Sequence, residues 1–228
     1  MIIPLFKTSY SIGKSLLRVE DIIDIAQSNK LKKVTLVEDN FYGFRAANSA
    51  FLHANIPMVY GIRMPVFQSE SERSSKLVFF AKNNKGINNL RNLYSKCKHS
   101  HLEVLNISNV EDIKIGVPFY DSYIFKNIFN FGLCEVDLEN YDHFYMEEDN
   151  SHPFDFQIKQ KLKDLNLKTQ KTQTIYYRNR EDFHAFQMYK AVCSRRQGRV
   201  PTFSKPNLND FCSDDFCFES FLEKNASL

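Results

Sequence analysis

Acidic and histidine side chains in two short stretches are the groups of this sequence that could perform metal-dependent chemistry. Glu38, Asp39 and Asn40 stand between a short apolar run and a helix-like pattern, and His99 and His101 form a His-x-His pair. Carboxylate and imidazole groups ligate divalent cations, and a metal-bound hydroxide hydrolyses phosphoesters. One hypothesis is therefore a metal-dependent hydrolase that holds zinc or manganese through Glu38, Asp39, His99 and His101.

Structural roles are the alternative for the same residues, and we favour them. Asp39 and Asn40 lie at a predicted strand-to-helix junction, where such side chains cap a helix by accepting bonds from its first N–H groups. His99 and His101 follow a polar helix end, and no Asp or Glu cluster has the spacing to complete a metal site with them. This interpretation expects no cofactor.

Basic residues concentrate between residues 159 and 199 and are the best candidates for binding nucleic acid. Phosphate contacts need cations, and bases could stack on the neighbouring Tyr176 and Tyr177. The alternative is a solvated, Lys-rich helix face followed by a strand. The candidate residues are Lys159, Lys161, Lys163, Lys168, Lys171, Arg178, Arg180, Arg195, Arg196 and Arg199.

Overall composition describes a globular protein and excludes several classes. The 228 residues are 43% hydrophobic and 14% aromatic, and the net charge of +3 is too small to imply nucleic-acid binding by itself. The five cysteines form no CxxC pair, the first residues lack the order of a signal peptide, and no apolar run is long enough to span a membrane. We therefore expect a cytoplasmic protein.

Apolar periodicity predicts strands alternating with helices. Helical faces are indicated by Val19, Ile22, Ile23 and Ala26, by Phe44, Ala47 and Phe51, and by Ile87, Leu90 and Tyr94. The predicted helices cover residues 19–30, 44–55, 86–96 and 178–199, and the first predicted strands cover 34–37, 56–62 and 76–82. Similar patterns continue to residue 177. Such alternation is typical of parallel strands joined by crossover helices.

About seven strand-helix units in one chain of this length favour an α/β fold of the distorted (β/α)7-like barrel type. We predict one domain over residues 1–228, with the barrel in about 1–200. The acidic, Phe-rich residues 201–228 are predicted to pack a short helix onto it. The stretch "FCFESFL" is also a candidate peptide for docking into a groove on a sliding clamp.

Four stretches in the same order resemble the PHP (polymerase and histidinol phosphatase) domain that opens the alpha subunit of bacterial DNA polymerase III. They are residues 8–44, "ANIPMVYGIRMPV" at 54–66, "KLVFFAKNNKGINNLRNLYSK" at 76–96, and residues 172–199. The third is the most recognisable. The resemblance implies a barrel of PHP type, and active members bind two or three metals through His, Asp and Glu at strand ends.

Different residues stand at the positions where this resemblance places the family's metal ligands. An opening His-x-His falls on Leu5 and Lys7, and an Asp-His pair falls on Val37 and Glu38. A Glu falls on Arg63, a His on Lys76, and a late Asp-x-His on Thr174 and Tyr176. The resemblance therefore implies a degenerate metal site, in which the three cations would repel a metal.

The resemblance implies a non-catalytic scaffold or accessory module of DNA replication. Its expected partners are a DNA polymerase, a proofreading exonuclease or a sliding clamp, with DNA as a further candidate partner. A metal-dependent phosphoesterase or 3'-5' exonuclease with the rearranged ligands Glu38, Asp39, His99 and His101 stays an alternative, and a single-stranded nucleic-acid-binding protein is the second. High usage of Lys, Asn, Ile and Phe hints at an AT-rich genome and would suit a phage protein acting in the host cytoplasm.

Overall fold

Seven strands form a closed barrel in the order β1 to β7. The computed structural model describes residues 2–67, 74–99, 111–129, 136–193 and 212–226, apart from the side chains of Ser74, Lys98, His99 and Phe129. The strands are β1 (Ile3–Phe6), β2 (Val34–Glu38), β3 (Met58–Phe67), β4 (Ser74–Ala81), β5 (Ile113–Val117), β6 (His143–Glu147) and β7 (Thr169–Ile175).

The helices alternate with these strands along most of the chain. They are α1 (Val19–Ser28), α2 (Phe44–His53), α3 (Asn84–His99), α4 (Tyr123–Phe129), α5 (Asp155–Asp164), α6 (Phe183–Cys193) and α7 (Phe218–Ala226), with a 3-10 helix at Arg180–Asp182. The predicted α/β barrel is confirmed. No helix within the described ranges is long and apolar enough to cross a membrane.

The prediction of parallel strands throughout is wrong for β4. This strand runs antiparallel to both β3 and β5, with Arg63 opposite Val78 and Ala81 opposite Ile113. Only residues 68–73 separate β3 from β4. A parallel crossover needs a dozen or more residues, so this short connection requires the chain to reverse direction.

The chain divides into two compact units, while the single domain stays a prediction. The first unit comprises Met1–Val59, Glu148–Asp155 and Lys171–Leu228. Within it β1 lies between the parallel strands β2 and β7, with Leu5 opposite both Thr35 and Thr174. This pairing brings the carboxyl ends of the three strands to one edge.

Helices of the first unit bury faces close to those predicted. Helix α2 buries Ala47 and Phe51, as its period indicates. Helix α1 buries Ile25 where Ile23 was expected, so the buried face is rotated slightly from the predicted one. Each fully buried Ile or Phe side chain contributes about 1.5–3 kcal/mol of transfer free energy.

The carboxyl-terminal helix α7 packs within the first unit. Phe218 and Phe221 are buried, and the ring of Phe218 lies 5.9 Å from that of Phe6 in β1. An isolated parallel bridge joins Tyr177 to Cys217, which fixes the chain just before the helix. The burial of both phenylalanines leaves neither ring available for a groove on a clamp.

The second unit comprises Tyr60–Glu147 and Phe156–Gln170. Strands β4 and β5 supply its core, with Leu77, Val78, Phe79 and Ile115 almost fully buried. Helix α3 packs on both strands. It approaches very closely at Gly86, where an added Cβ would lie 2.3 Å from the carbonyl oxygen of Asp112.

Replacing Gly86 with alanine should destabilise the protein, because the new methyl group meets backbone that cannot rotate away. We expect Gly86→Ala to lower the free energy of unfolding by about 1–3 kcal/mol, as overpacking usually does. Urea denaturation followed by circular dichroism measures the change.

Asn88→Ala is the control for this prediction, since Asn88 is exposed on the same helix. It should change stability by less than about 0.5 kcal/mol. A Gly86→Ala protein as stable as the control would show that α3 does not need the close approach.

Candidate functional site

Lys7 and Asp39 form an ion pair at the carboxyl ends of β1 and β2. The Lys7 Nζ lies 2.7 Å from Asp39 Oδ1, and Lys7 is only 3% exposed. A buried ammonium group loses its hydration and needs a negative partner close by. The pair therefore provides a fixed, neutralised charge at the position where the resemblance expects a metal-binding imidazole.

Glu38 is buried beside this pair and is held by the loop that follows β1. Its carboxylate accepts the backbone N–H of Thr8 at 2.8 Å and the hydroxyl of Ser11. Ser11 in turn accepts the backbone N–H of Asp39 at 3.0 Å. Burial raises the pKa of Glu38, although Lys7 and these hydrogen bonds oppose the shift. The carboxylate is engaged by the protein itself.

The predicted helix cap at Asp39 and Asn40 is wrong. Helix α2 begins at Phe44, its N-cap is Gly43, and no side chain caps it. Asn40 instead accepts the N–H of Tyr42 at 2.9 Å and donates to the carbonyl oxygen of Tyr10 at 3.1 Å. The helix begins four residues after Asn40, so the amide stabilises the loop before the helix.

The expected ligand positions Thr174, on β7, and Tyr176, just after it, are also used structurally. The Thr174 hydroxyl donates to Glu148 at 2.7 Å, and Glu148 is buried. Tyr176 is buried, stacks on Phe186 and meets Phe216 edge to face. The Tyr176 ring is not presented to solvent, and the half-buried Thr174 hydroxyl is engaged by Glu148. Leu5 and Val37 are buried apolar residues.

In the second unit, Arg63 and Lys76 share one carboxylate. Asp121 Oδ2 lies 3.0 Å from Lys76 Nζ and 3.5 Å from an Arg63 guanidinium nitrogen. Arg63 also donates to the Tyr120 carbonyl at 2.7 Å, and the Lys76 N–H donates to the Asp121 carbonyl at 3.1 Å. Two strands and the segment after β5 are thereby joined through charge.

The environment of Asp121 favours its charged form. Burial would raise the pKa of its carboxyl, but the cations Arg63 and Lys76 outweigh burial and lower the pKa below its ordinary value. Asp121 has a φ of +62°, in the left-handed region that Asp and Asn tolerate better than most residues. The backbone and the charge together account for an aspartate at this position.

Three of the expected ligand positions thus hold cations paired with carboxylates: Lys7 with Asp39, and Arg63 and Lys76 with Asp121. An ammonium or guanidinium group neutralises a carboxylate but offers no coordination position and cannot activate water as a metal does. The side chains at these positions do not fit a metal cluster of two or three ions.

Asp121 and Glu148 were not found from the sequence. Asp121 stands in "PFYDSY", which carries no motif, and Glu148 lies in the acidic run after β6. A usable signal for Asp121 was the pair of cations at Arg63 and Lys76, since buried cations require a partner. Its place in the chain could not be deduced, because the partner is distant in sequence.

The fallback ligands of the enzyme hypothesis are Glu38, Asp39, His99 and His101. They do not form a metal site among the residues that the structure describes. No group of three or more His, Cys, Asp or Glu residues in the described ranges could hold a metal ion. The backbone of His99 ends α3, and its side chain and the whole of His101 lie outside the described residues. Their role as ligands stays a prediction.

The basic candidates have mixed surroundings. Lys161, Lys163, Lys168, Lys171 and Arg178 are exposed, and Lys159 is half-buried. Arg180 is engaged by Asp214, Asp215 and Glu223. The expectation that bases stack on Tyr176 and Tyr177 is wrong, because both rings are buried. Arg195, Arg196 and Arg199 lie outside the described residues.

Comparison with known families assigns the chain. The family model described as the PHP domain matches residues 6–127. This match covers more than half of the 228 residues. The chain belongs to the PHP domain family.

The chain is also similar to DNA polymerase III subunit alpha of Staphylococcus aureus. In strain Mu50 the identity is 26% over 122 residues, which covers 53% of this chain and 11% of that protein. In strain COL it is 30% over 97 residues, which covers 42% of this chain and 9% of that protein. The match thus spans about a tenth of the length of these curated relatives.

Two solved structures show weaker likenesses. One, named as a metal-dependent phosphoesterase from Bifidobacterium adolescentis, has a TM-score of 0.32 and 13% identity, and the alignment covers 42% of this chain and 34% of that one. The other is an amidohydrolase from Chromobacterium violaceum with bound sulfate, with a TM-score of 0.31, 18% identity, and coverage of 43% and 34%. Neither supports an inference about this chain.

Removing the Ser11 hydroxyl should destabilise the first unit, because the Asp39 N–H loses its acceptor and Glu38 loses a donor. We expect Ser11→Ala to lower the free energy of unfolding at pH 7 by about 1–3 kcal/mol. Ser28→Ala, at an exposed position, should change it by less than about 0.5 kcal/mol. Urea denaturation of both variants checks this, and equal effects would show that the hydroxyl is dispensable.

Neutralising Asp121 should cost stability in a way that depends on pH. Its folded-state pKa lies below the unfolded value of about 3.9, so its stabilisation is present above about pH 4 and is lost as the pH falls through the folded-state pKa. We expect Asp121→Asn, which keeps the left-handed backbone, to cost about 2–4 kcal/mol at pH 7 because Arg63 stays buried without its partner. The difference from the unmodified chain should shrink below pH 4.

Asp142→Asn is the matched control, since Asp142 pairs with Lys82 at 2.7 Å with both side chains nearly half exposed. Such a surface pair contributes about 0–1 kcal/mol. Unfolding curves measured between pH 3 and pH 7 compare the variants. A pH-independent loss in Asp121→Asn would mean that shape, and not charge, is what Asp121 supplies.

Proposed function

We propose that this chain is a non-catalytic PHP module of DNA replication, which acts through surface contacts with a DNA polymerase, a proofreading exonuclease or a sliding clamp. The observation that carries the proposal is the pairing of Lys7, Arg63 and Lys76 with carboxylates at positions where the resemblance expects metal ligands. These pairs stabilise the fold without chemistry.

Phosphoester hydrolysis in a metal-dependent enzyme requires an ion that activates water and holds the developing charge. At the expected ligand positions of this chain, Leu5 and Val37 carry no donor atom. The neighbouring Glu38 carboxylate is occupied by Thr8 and Ser11. The residues present therefore support packing and ion pairing over metal catalysis.

The replication context rests on the relatives, which are named as subunits of DNA polymerase III. The match to them is confined to a small part of their length, so their activity and assembly do not transfer directly. A barrel whose strand ends are joined by internal ion pairs is suited to a rigid platform. A rigid platform loses little conformational freedom when a partner binds, which favours association.

Metal content should separate this role from the enzyme alternative. Protein purified without chelator or a metal-affinity tag should contain less than about 0.1 equivalent each of zinc, manganese and iron by plasma mass spectrometry, because the ligand set is incomplete. It should also leave p-nitrophenyl phosphate and the 3' ends of oligonucleotides intact after incubation with zinc or manganese.

A Glu38→Gln/Asp39→Asn double variant is the control, since it removes the two carboxylates of the fallback set. Near-stoichiometric metal and hydrolysis in the unmodified chain, both lost in the double variant, would overturn the proposal in favour of the enzyme. Biolayer interferometry against the purified polymerase, exonuclease and clamp of the source organism then tests the scaffold role. Absence of binding to all three would refute it.

A further inference from the structure

Helix α5 presents an exposed aromatic ring on the side opposite its buried face. Ile158 and Leu162 are buried at 1% and 3% exposure, whereas Phe156 is 74% exposed. Exposing so much of a phenyl ring to water forgoes the favourable free energy that burying the ring would supply. A large apolar side chain that packing does not use is a candidate contact for a partner.

Lysines share the exposed side of this helix. Phe156, Gln160 and Lys163 are spaced by four and three residues and therefore lie on one helical face. Lys161 is exposed about 100° around the helix from Gln160, and Lys168 is exposed just after the helix. We call the surface formed by Phe156, Gln160, Lys161, Lys163 and Lys168 the α5 basic face.

The charge of this segment is strongly biased. Residues 156–170 contain four lysines and one acidic residue, Asp164. The Asp164 carboxylate accepts the side-chain amide of Gln160 at 2.8 Å, so the local acid is partly engaged by a neutral group. The segment carries a net charge of +3 within a chain whose total is also +3. Such concentration on one short segment complements a polyanion.

We propose that the α5 basic face binds single-stranded nucleic acid, with a base stacked on Phe156 and the phosphate backbone contacting Lys161, Lys163 and Lys168. Stacking on an exposed ring beside cations is the chemistry by which proteins bind unpaired strands without reading sequence. Bases inside a duplex are already stacked and offer no face to Phe156. The ring thus selects single strands over duplex.

Exposure distinguishes this site from the sequence-based hypothesis. Tyr177 is 0% exposed and cannot stack on a base, and Arg180 is already engaged by three acidic residues. Phe156, which the sequence pattern did not single out, takes the stacking role. The proposal is independent of the metal question, since an inactive scaffold and an active enzyme could both use this face.

Fluorescence anisotropy with a labelled 20-nucleotide mixed-sequence DNA strand, at 50 mM salt, tests the ring. We expect Phe156→Ala to weaken binding by about tenfold and Phe156→Tyr to bind nearly as well as the unmodified chain. Tyr42→Ala is the matched control, because Tyr42 is 77% exposed elsewhere. It should leave binding unchanged.

A charge-matched pair of triple variants tests the lysines. Lys161→Gln/Lys163→Gln/Lys168→Gln should weaken binding. It should also reduce the salt slope, which is the steepness with which the logarithm of the binding constant falls with the logarithm of salt concentration, by about 2, since each phosphate contact contributes about 0.7 for single strands. Lys30→Gln/Lys32→Gln/Lys33→Gln removes the same charge from exposed lysines outside the α5 basic face. This control should keep most of the slope.

Three results would overturn the proposal. They are undetectable binding by the unmodified folded chain at 50 mM salt, equal losses in the two triple variants, and tighter binding of the corresponding duplex with no effect of Phe156→Ala. The second would indicate binding by overall charge alone. Circular dichroism of each variant confirms that the fold is retained, and the exposed positions make this the expected result.

Discussion

Buried charge must be neutralised inside the protein, and this constraint governs how the strand ends are built. Lys7 is nearly inaccessible and is paired with Asp39, while Asp121 is buried and accepts bonds from Lys76 and Arg63. An unpaired ion in such a place would cost several kcal/mol. The loop containing Ser11 and the left-handed turn at Asp121 are shaped around these pairs, so local backbone conformation follows from electrostatics.

The same constraint gives a physical account of a PHP fold with altered ligand positions. In a metal site, the bound cation offsets the negative charge of its carboxylate ligands. In this chain lysine and arginine side chains offset carboxylates, and apolar Leu5 and Val37 extend the core. Charge balance is kept in both arrangements, but a covalently attached cation leaves no coordination position for water.

Prediction from the sequence was accurate where local periodicity carries the information. The faces of α2 and the alternation of strands and helices follow from apolar spacing, which depends only on near neighbours. The direction of β4 and the helix cap at Asp39 and Asn40 were wrong because both depend on how segments meet. Asn40 could cap a helix or stabilise a loop with the same chemistry, and only the folded path of the loop before Phe44 decides between them.

The sequence by itself determined the α/β class, the order of elements, the resemblance to PHP domains and the residue types at the expected ligand positions. Tertiary structure decided which charges are paired, since Asp121 lies far along the chain from Arg63 and Lys76. It also decided which aromatic rings are available, burying Tyr176 and Tyr177 and exposing Phe156. Residue identity is local information, whereas ion pairing and burial arise from contacts between distant segments, and these exist only once the chain has folded.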